Sequence, residues 1–280
     1  MTSSRLGACA SNAWGGYNTW TPTGPSGAPL EAIRYLPGPD RVALAVTRKA
    51  IYRSTNDGGS WTSVQRLPTT HDRKSAGMLA VNPANGNQVL VASGSLYRST
   101  DGGLTWTVVV IPTGTGANLT PTCVAFAASG NVAWVGGQQG MVYRSPDGGA
   151  TWELRKNGIP SGLSDEIVQI EVDAADANVA YVRAGASANL FRTQDGGMNW
   201  SWLLFPYPIG TEEFAASRVN AGVLIRTSEF DFEQAMDRTV DHADNWSRIE
   251  DEILSTVRFS PSTAGRALAY DALENTLKFT

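Results

Sequence analysis

At 280 residues, with 29 Gly, 14 Pro, 9 Trp and only 17% charged residues, the chain has the composition of a turn-rich, well-packed all-β domain, which excludes a disordered or coiled-coil chain. A formal net charge of -4, with 22 scattered basic residues, lacks the basic stripe of a nucleic-acid binder. No run of about 18 apolar residues is present, so no membrane insertion is expected.

In chain order, residues 1–17 form an irregular leader, MTSSRLGACASNAWGGY, without a basic segment followed by an apolar one, so no export signal is read and the expected location is a virion or the cytoplasm. A short strand, about 18–22, follows around Trp20. From there the chain divides into segments of nearly constant length, at about 30–65, 76–110, 121–156, 166–205 and 213–250, and it ends with three more strands at about 252–280. Each full segment reads as four short strands, for example GMLAVNP, QVLVASG, SLYRS and WTVVV.

The last turn of each segment carries one pattern, S/T-x-D/N-x-G-x-S/T/N-W. Its copies are STNDGGSW (Ser54, Asn56, Gly58, Trp61), STDGGLTW (Ser99, Asp101, Gly103, Trp106), SPDGGATW (Ser145, Asp147, Gly149, Trp152) and TQDGGMNW (Thr193, Asp195, Gly197, Trp200). A degenerate fifth copy, TVDHADNW, holds Thr239, Asp241 and Trp246. Repeats of this length, each built of four strands, are the signature of a β-propeller. The residue types suit a hairpin turn: glycine takes positive φ, the hydroxyl and carboxylate accept backbone N–H groups, and Trp covers the apolar side. An Arg precedes each box (Arg53, Arg98, Arg144, Arg192, Arg238) and reads as a bridge between neighbouring repeats.

The motif resembles the Asp-box, or bacterial neuraminidase repeat, found in sialidases, sortilin-type receptors, xyloglucanases, photosystem assembly factors and phage proteins. The resemblance covers about Leu30 to Trp246 and implies a structural role for the box. The expected fold is a six-bladed all-β propeller in one domain, 1–280. The sixth blade is expected to join 252–280 to the strand at 18–22, because Trp20 continues the Trp column and Thr280 falls at the first box position.

Sialidases of this family hold a carboxylate with three Arg and attack with a Tyr assisted by Glu. Arg34, Arg218 and Arg258 align in one column of innermost strands, and Tyr270 and Glu274 lie in the sixth blade, so these five residues are the catalytic candidates if the chain is a glycosidase. Against that reading, IRYLP spaces Arg and Pro one residue too far apart for the family's signature, and no long loops build a deep sugar pocket. His71 and His242 have no neighbouring ligands, so no metal and no cofactor are expected. Cys123, in an apolar run, reads as a buried free thiol rather than the partner of Cys9.

The expectation is therefore a non-enzymatic propeller, a structural or protein-interaction subunit of a large assembly such as a phage tail or virion, with other protein subunits as partners. The alternatives are a glycan-binding or sialidase-like glycoside hydrolase, with exposed aromatics such as Trp14, Trp134 or Trp202, and an assembly factor for a multiprotein complex.

Overall fold

The computed structural model describes residues 24–25, 29–68, 78–160, 166–185, 189–203, 211–230, 233–250, 254–259, 267–271 and 276–279. They form five four-stranded antiparallel sheets and one three-stranded sheet, each from consecutive strands. The first sheet is β1 (Leu30–Tyr35), β2 (Ala43–Thr47), β3 (Ala50–Ser54) and β4 (Thr62–Arg66); the second is β5 (Leu79–Val81), β6 (Val89–Ser93), β7 (Ser95–Ser99) and β8 (Thr107–Val109). The third is β9 (Pro121–Phe126), β10 (Ala133–Gly137), β11 (Val142–Ser145) and β12 (Glu153–Leu154), and the fourth β13 (Ile167–Val172), β14 (Ala180–Ala184), β15 (Leu190–Thr193) and β16 (Ser201–Trp202). The fifth is β17 (Thr211–Ala216), β18 (Leu224–Phe230), β19 (Glu233–Thr239) and β20 (Ser247–Glu250), and β21 (Leu254–Phe259), β22 (Ala267–Asp271) and β23 (Thr276–Phe279) complete the set.

The first strands stand side by side in chain order, β1 next to β5, then β9, β13, β17 and β21. The sheets therefore stack face to face around the line of their innermost strands. Second strands are covered on both faces and so read as continuous apolar runs; ALAVT in β2 and AWVGG in β10 are buried throughout. Each apolar cluster spans two successive sheets. Leu44, Val46 and Ile51 of the first meet Leu79, Val89, Val91 and Tyr97 of the second, and the same alternation continues through the third and fourth sheets. Tyr181 and Leu190 of the fourth meet Phe214 and Leu224 of the fifth, and Ala215, Ile225 and Met236 face Phe259 of the three-stranded sheet. Burying one such side chain contributes about 1.5–3 kcal/mol.

The strand at about 18–22, the leader and Thr280 lie outside the described residues. The expected six blades and their closure therefore reduce here to five complete sheets and a three-stranded one, with no closed sheet among the described residues. No described helix is long and apolar enough to cross a membrane. Cys123 is a buried free thiol, and burial pushes it up to about 12; Cys9 falls outside the described residues.

Two of the aromatics considered for sugar contact separate cleanly. Trp134 is fully buried and meets Trp200 edge to face, ring centres 5.8 Å apart, whereas Trp202 on β16 is 57% exposed. Trp134→Ala is expected to cost about 3–5 kcal/mol in urea denaturation, and Trp202→Ala within about 0.5 kcal/mol. Equal losses would contradict this division.

Candidate functional site

The two ends of the strands differ in chemistry. At one end lie the β1–β2 type turns and the boxes. In the second box, Ser99 Oγ accepts from the N–H groups of Gly103 (2.9 Å) and Asp101 (3.3 Å) and donates to Asp101 Oδ1 (2.8 Å). Asp101 in turn accepts from the N–H groups of Leu104 and Thr105, at 3.0 and 2.9 Å. Ser54, Ser145, Thr193 and Thr239 repeat this, accepting from Gly58, Gly149, Gly197 and Ala243 at 2.9, 2.7, 2.9 and 3.1 Å. The fifth box keeps the geometry without glycine: His242 and Ala243 adopt φ of 59° and 72°, a region that disfavours any side chain. Its degenerate sequence is thus held in shape by the hydroxyl and carboxylate.

The second to fifth boxes are each anchored within their own sheet, and the second, third and fifth also from the sheet before. The N–H of Gly102 donates to Asn87 O (3.0 Å), that of Gly148 to Asn131 O (2.7 Å), that of Gly196 to Asn178 O (3.0 Å) and that of His242 to Gly222 O (3.0 Å), all within their own sheets. The recurrent Arg then reaches across from the preceding sheet: Arg53 Nε donates to Gly102 O (3.0 Å) and Arg98 Nε to Gly148 O (3.2 Å). Arg192 donates to His242 O and to Asp244 Oδ1 (2.7 Å). Arg144 departs from the pattern, donating to Asn178 Oδ1 (3.1 Å) with its guanidinium over Trp134, and Arg238 is exposed. Hydrogen bonds from a charged donor of this kind contribute about 1.5–3 kcal/mol.

The fifth sheet departs from the repeat in its core. Where the other sheets pair Ala45 with Tyr52, Val91 with Tyr97, Val135 with Tyr143 and Val182 with Phe191, it pairs Arg226 with Asp237. Both are buried, Arg226 NH2 stands 2.6 Å from Asp237 Oδ2, and the guanidinium lies over the Trp246 ring.

The aligned arginines do not all share a position. Arg34 lies opposite Leu44 and Arg258 opposite Leu268, the same register position that Ala80, Ala125, Glu171 and Ala215 hold in the other sheets. Arg218 is three residues beyond Ala215, exposed in the turn after β17. The turn that follows β17 sets it apart, a shift invisible in the unaligned sequence. Arg34 NH1 donates back to Ile33 O at 2.8 Å. Tyr270 lies on β22 opposite Thr256 and Leu277, and Glu274 falls outside the described residues.

At the other end of the strands, the starts of β1, β9 and β13 and the β2–β3, β6–β7 and β10–β11 turns surround a small pocket of about 40 Å³. Its polar lining includes Glu31, Arg48, Ser93, Thr122, Gln138 and Glu166, over an apolar floor with Met78 and Val168. Arg48 Nε donates to Glu31 Oε1 at 2.8 Å, and the Glu31 side chain is 8% exposed. The pocket is built without long loops, from four sheets contributing two to four residues each. Glu31 and Glu166 escaped the sequence reading; each stands at the head of a first strand, but so do Glu212 and Glu213 of β17, so position alone did not single them out. No group of three or more His, Cys, Asp and Glu able to hold a metal ion occurs among the described residues.

The family model for the BNR/Asp-box repeat matches residues 97–108. The chain thus carries the Asp-box repeat, on a fold similar to that of solved β-propellers. No curated protein matches its sequence. Among solved structures it is similar to an ancestral GH74 enzyme (20% identity, TM-score 0.69, covering 90% of this chain and 36% of that one) and to the GH74 xyloglucanase from Xanthomonas campestris (17%, 0.69, 89% and 46%). It is also similar to YCF48 bound to D1 peptide (13%, 0.54, 96% of both chains). The propeller spans less than half the length of the GH74 proteins it matches.

These likenesses correct two expectations, the non-enzymatic structural subunit and its phage tail or virion setting. Solved structures similar at a TM-score of 0.69 are GH74 enzymes, which supports the glycoside hydrolase alternative better than the main reading. The pocket arises where short turns of several sheets converge, so a concave site does not need long loops.

The box carboxylates set an acid limit on stability. For Asp147, burial pushes the carboxyl up, but hydrogen bonds from Thr151, Ser145 and Ala150 outweigh it and hold the group at about 2; Thr239 and Asn245 hold Asp241 at about 2. Both lie below the ordinary unfolded value of about 3.9, so their contribution is present above about pH 4 and is lost as pH falls towards 2. The melting temperature is expected to drop across that window. Asp147→Asn keeps an acceptor, as Asn56 does for the Ser60 N–H at 2.8 Å, but cannot ionise, so it should make the drop shallower by lowering the melting temperature at pH 7. An unaltered acid profile would remove Asp147 from this account.

Proposed function

We propose that this propeller handles a polysaccharide, as a glycan-binding propeller of the glycoside hydrolase kind, and that the pocket opposite the boxes is its sugar site. The observation that carries the reading is the convergence of Glu31, Glu166, Arg48 and Gln138 with hydroxyl side chains around one concave mouth. Carboxylate, guanidinium and amide groups are planar acceptors and donors that match adjacent sugar hydroxyls, and Met78 and Val168 can meet the C–H face of a ring. Two carboxylates flanking a glycosidic bond are also the usual means of cleaving it, one as acid and one as base or nucleophile. Arg48 orients Glu31 for such a part, and Glu166 supplies the other group. The GH74 likeness makes xyloglucan the first ligand to try.

Binding of xyloglucan, cellulose and uncharged galactans by affinity electrophoresis, with release of reducing ends, tests the proposal. Gln138→Ala and Glu166→Gln should each weaken binding at least about tenfold, equivalent to about 1.4 kcal/mol. Absence of binding to any of these polysaccharides would sink it. A second reading, binding of an extended peptide, is favoured by the near-complete mutual coverage with YCF48 bound to D1 peptide, and would be met by peptide rather than glycan retention.

We also propose that the ring has six blades and that residues 18–22 pair beside β23 to give the last sheet its fourth strand. The support is the Trp column: Trp20 precedes Trp61 by 41 residues, close to the later spacings of 45 to 48. Removing residues 1–22 should lower the melting temperature, whereas removing 1–17 should not. Equal effects from both truncations would contradict the pairing.

A further inference from the structure

We infer that the box end of the seam between the third and fourth sheets binds an oxyanion of the phosphate or sulfate kind, held by Arg144 and Arg155. The third sheet departs from the repeat here at two positions. Opposite the recurrent Arg, the other four-stranded sheets have Leu44, Leu90, Tyr181 or Ile225, and this one has Trp134. Three residues after the box Trp, where the others have Val64, Val109, Leu203 and Ile249, it has Arg155.

Both departures bear on the fourth box. Trp134 meets Trp200 edge to face, and the Arg144 guanidinium lies over the Trp134 ring, 5.7 Å from its centre. A Cβ on Gly196 would stand 3.6 Å from Arg144 Nε, and one on Gly197 would stand 2.8 Å from Arg155 Cβ and 3.0 Å from the Trp134 ring. Two arginines thus rest on adjacent residues of one turn.

Hydrogen-bond donors outnumber acceptors there. A guanidinium carries five N–H groups and no acceptor. Arg53, Arg98 and Arg192 each donate to a carbonyl of the next box, whereas Arg144 donates to the exposed Asn178 Oδ1 and Arg155 to Glu153. Nε of Arg144 and of Arg155 are both buried with no acceptor among the described residues, an arrangement that is costly to leave uncompensated. Burial, and then the charge of Arg155, push the Arg144 guanidinium below its ordinary value; Glu153 and Asp176 oppose this, but both are exposed and screened by solvent. An anion at the two arginines relieves their repulsion. With three or four oxygens it can take a fork from each, whereas a carboxylate is filled by one. Such a group occurs as a free ion or as an ester on a larger molecule, and the two arginines would meet the same oxygens in either. The pocket lies at the opposite end of the strands, so the anion site does not depend on the glycan reading.

Calorimetric titration of the full chain with sodium phosphate, sulfate and acetate at one ionic strength tests the site. Phosphate or sulfate should saturate one site per chain, and acetate should not. Arg155→Leu, which matches Leu203 of the fourth sheet, and Arg155→Gln should each weaken binding at least about tenfold, with melting temperatures confirming that both variants fold. Arg66→Gln, at an exposed arginine of β4, should leave binding unchanged. Phenyl phosphate binding as tightly as phosphate would support a site for an ester, and its exclusion a site for the free ion. No saturation by either ion, an equal response to acetate, or binding that survives loss of Arg155 in a folded variant would overturn the inference.

Discussion

A four-stranded sheet with two apolar faces can bury them only against other sheets, and this constraint governs the rest of the molecule. Side chains alternate between faces, so every sheet donates half of its core to the sheet before it and half to the sheet after it. Leu44 and Val46 therefore pack against Val89 and Val91, whereas Leu90 faces the opposite way and packs against Val124 and Val135. No sheet has a core of its own. The orientation of each sheet must consequently be fixed by something other than packing alone, and the arginine that crosses from one sheet to the next box serves that purpose at the rim.

Most of this architecture was legible in the sequence because it is repetitive. The box recurs with its hydroxyl, carboxylate and Trp, and the preceding strand recurs with its Arg, so each copy corroborates the others. Even the fifth box, with His242 and Ala243 in place of glycines, was recognisable from Thr239, Asp241 and Trp246, and these are the residues that keep its geometry. The candidate site was hard to read for the opposite reason. Glu31 and Glu166 belong to no repeated pattern, and what unites them is the convergence of β1 and β13 around a pocket. A column drawn from unaligned innermost strands also placed Arg218 with Arg34 and Arg258, although the chain has already turned away from β17 at that point.

The division of labour between the two ends of the strands follows from the same repetition. The box end is occupied by hydrogen bonds that every sheet needs, so its residues are committed to holding turns. The opposite end is made of turns such as Thr47–Lys49 and Gln138–Gly140, which differ from sheet to sheet in sequence and in the bonds that hold them. Variation there costs the fold little, and that is where unlike polar groups have gathered.

The buried Arg226 and Asp237 break the likeness among the sheets at one seam. A chain of near-identical repeats risks docking the wrong neighbours while it folds, since one apolar face fits another almost equally well. The pair, however, is made within the fifth sheet, across β18 and β19, and so does not depend on which sheet docks against it. What it imposes is local: truncating either partner alone would leave a buried ion uncompensated, at a cost of about 3–5 kcal/mol, a penalty that the apolar–aromatic pairs of the other sheets do not carry.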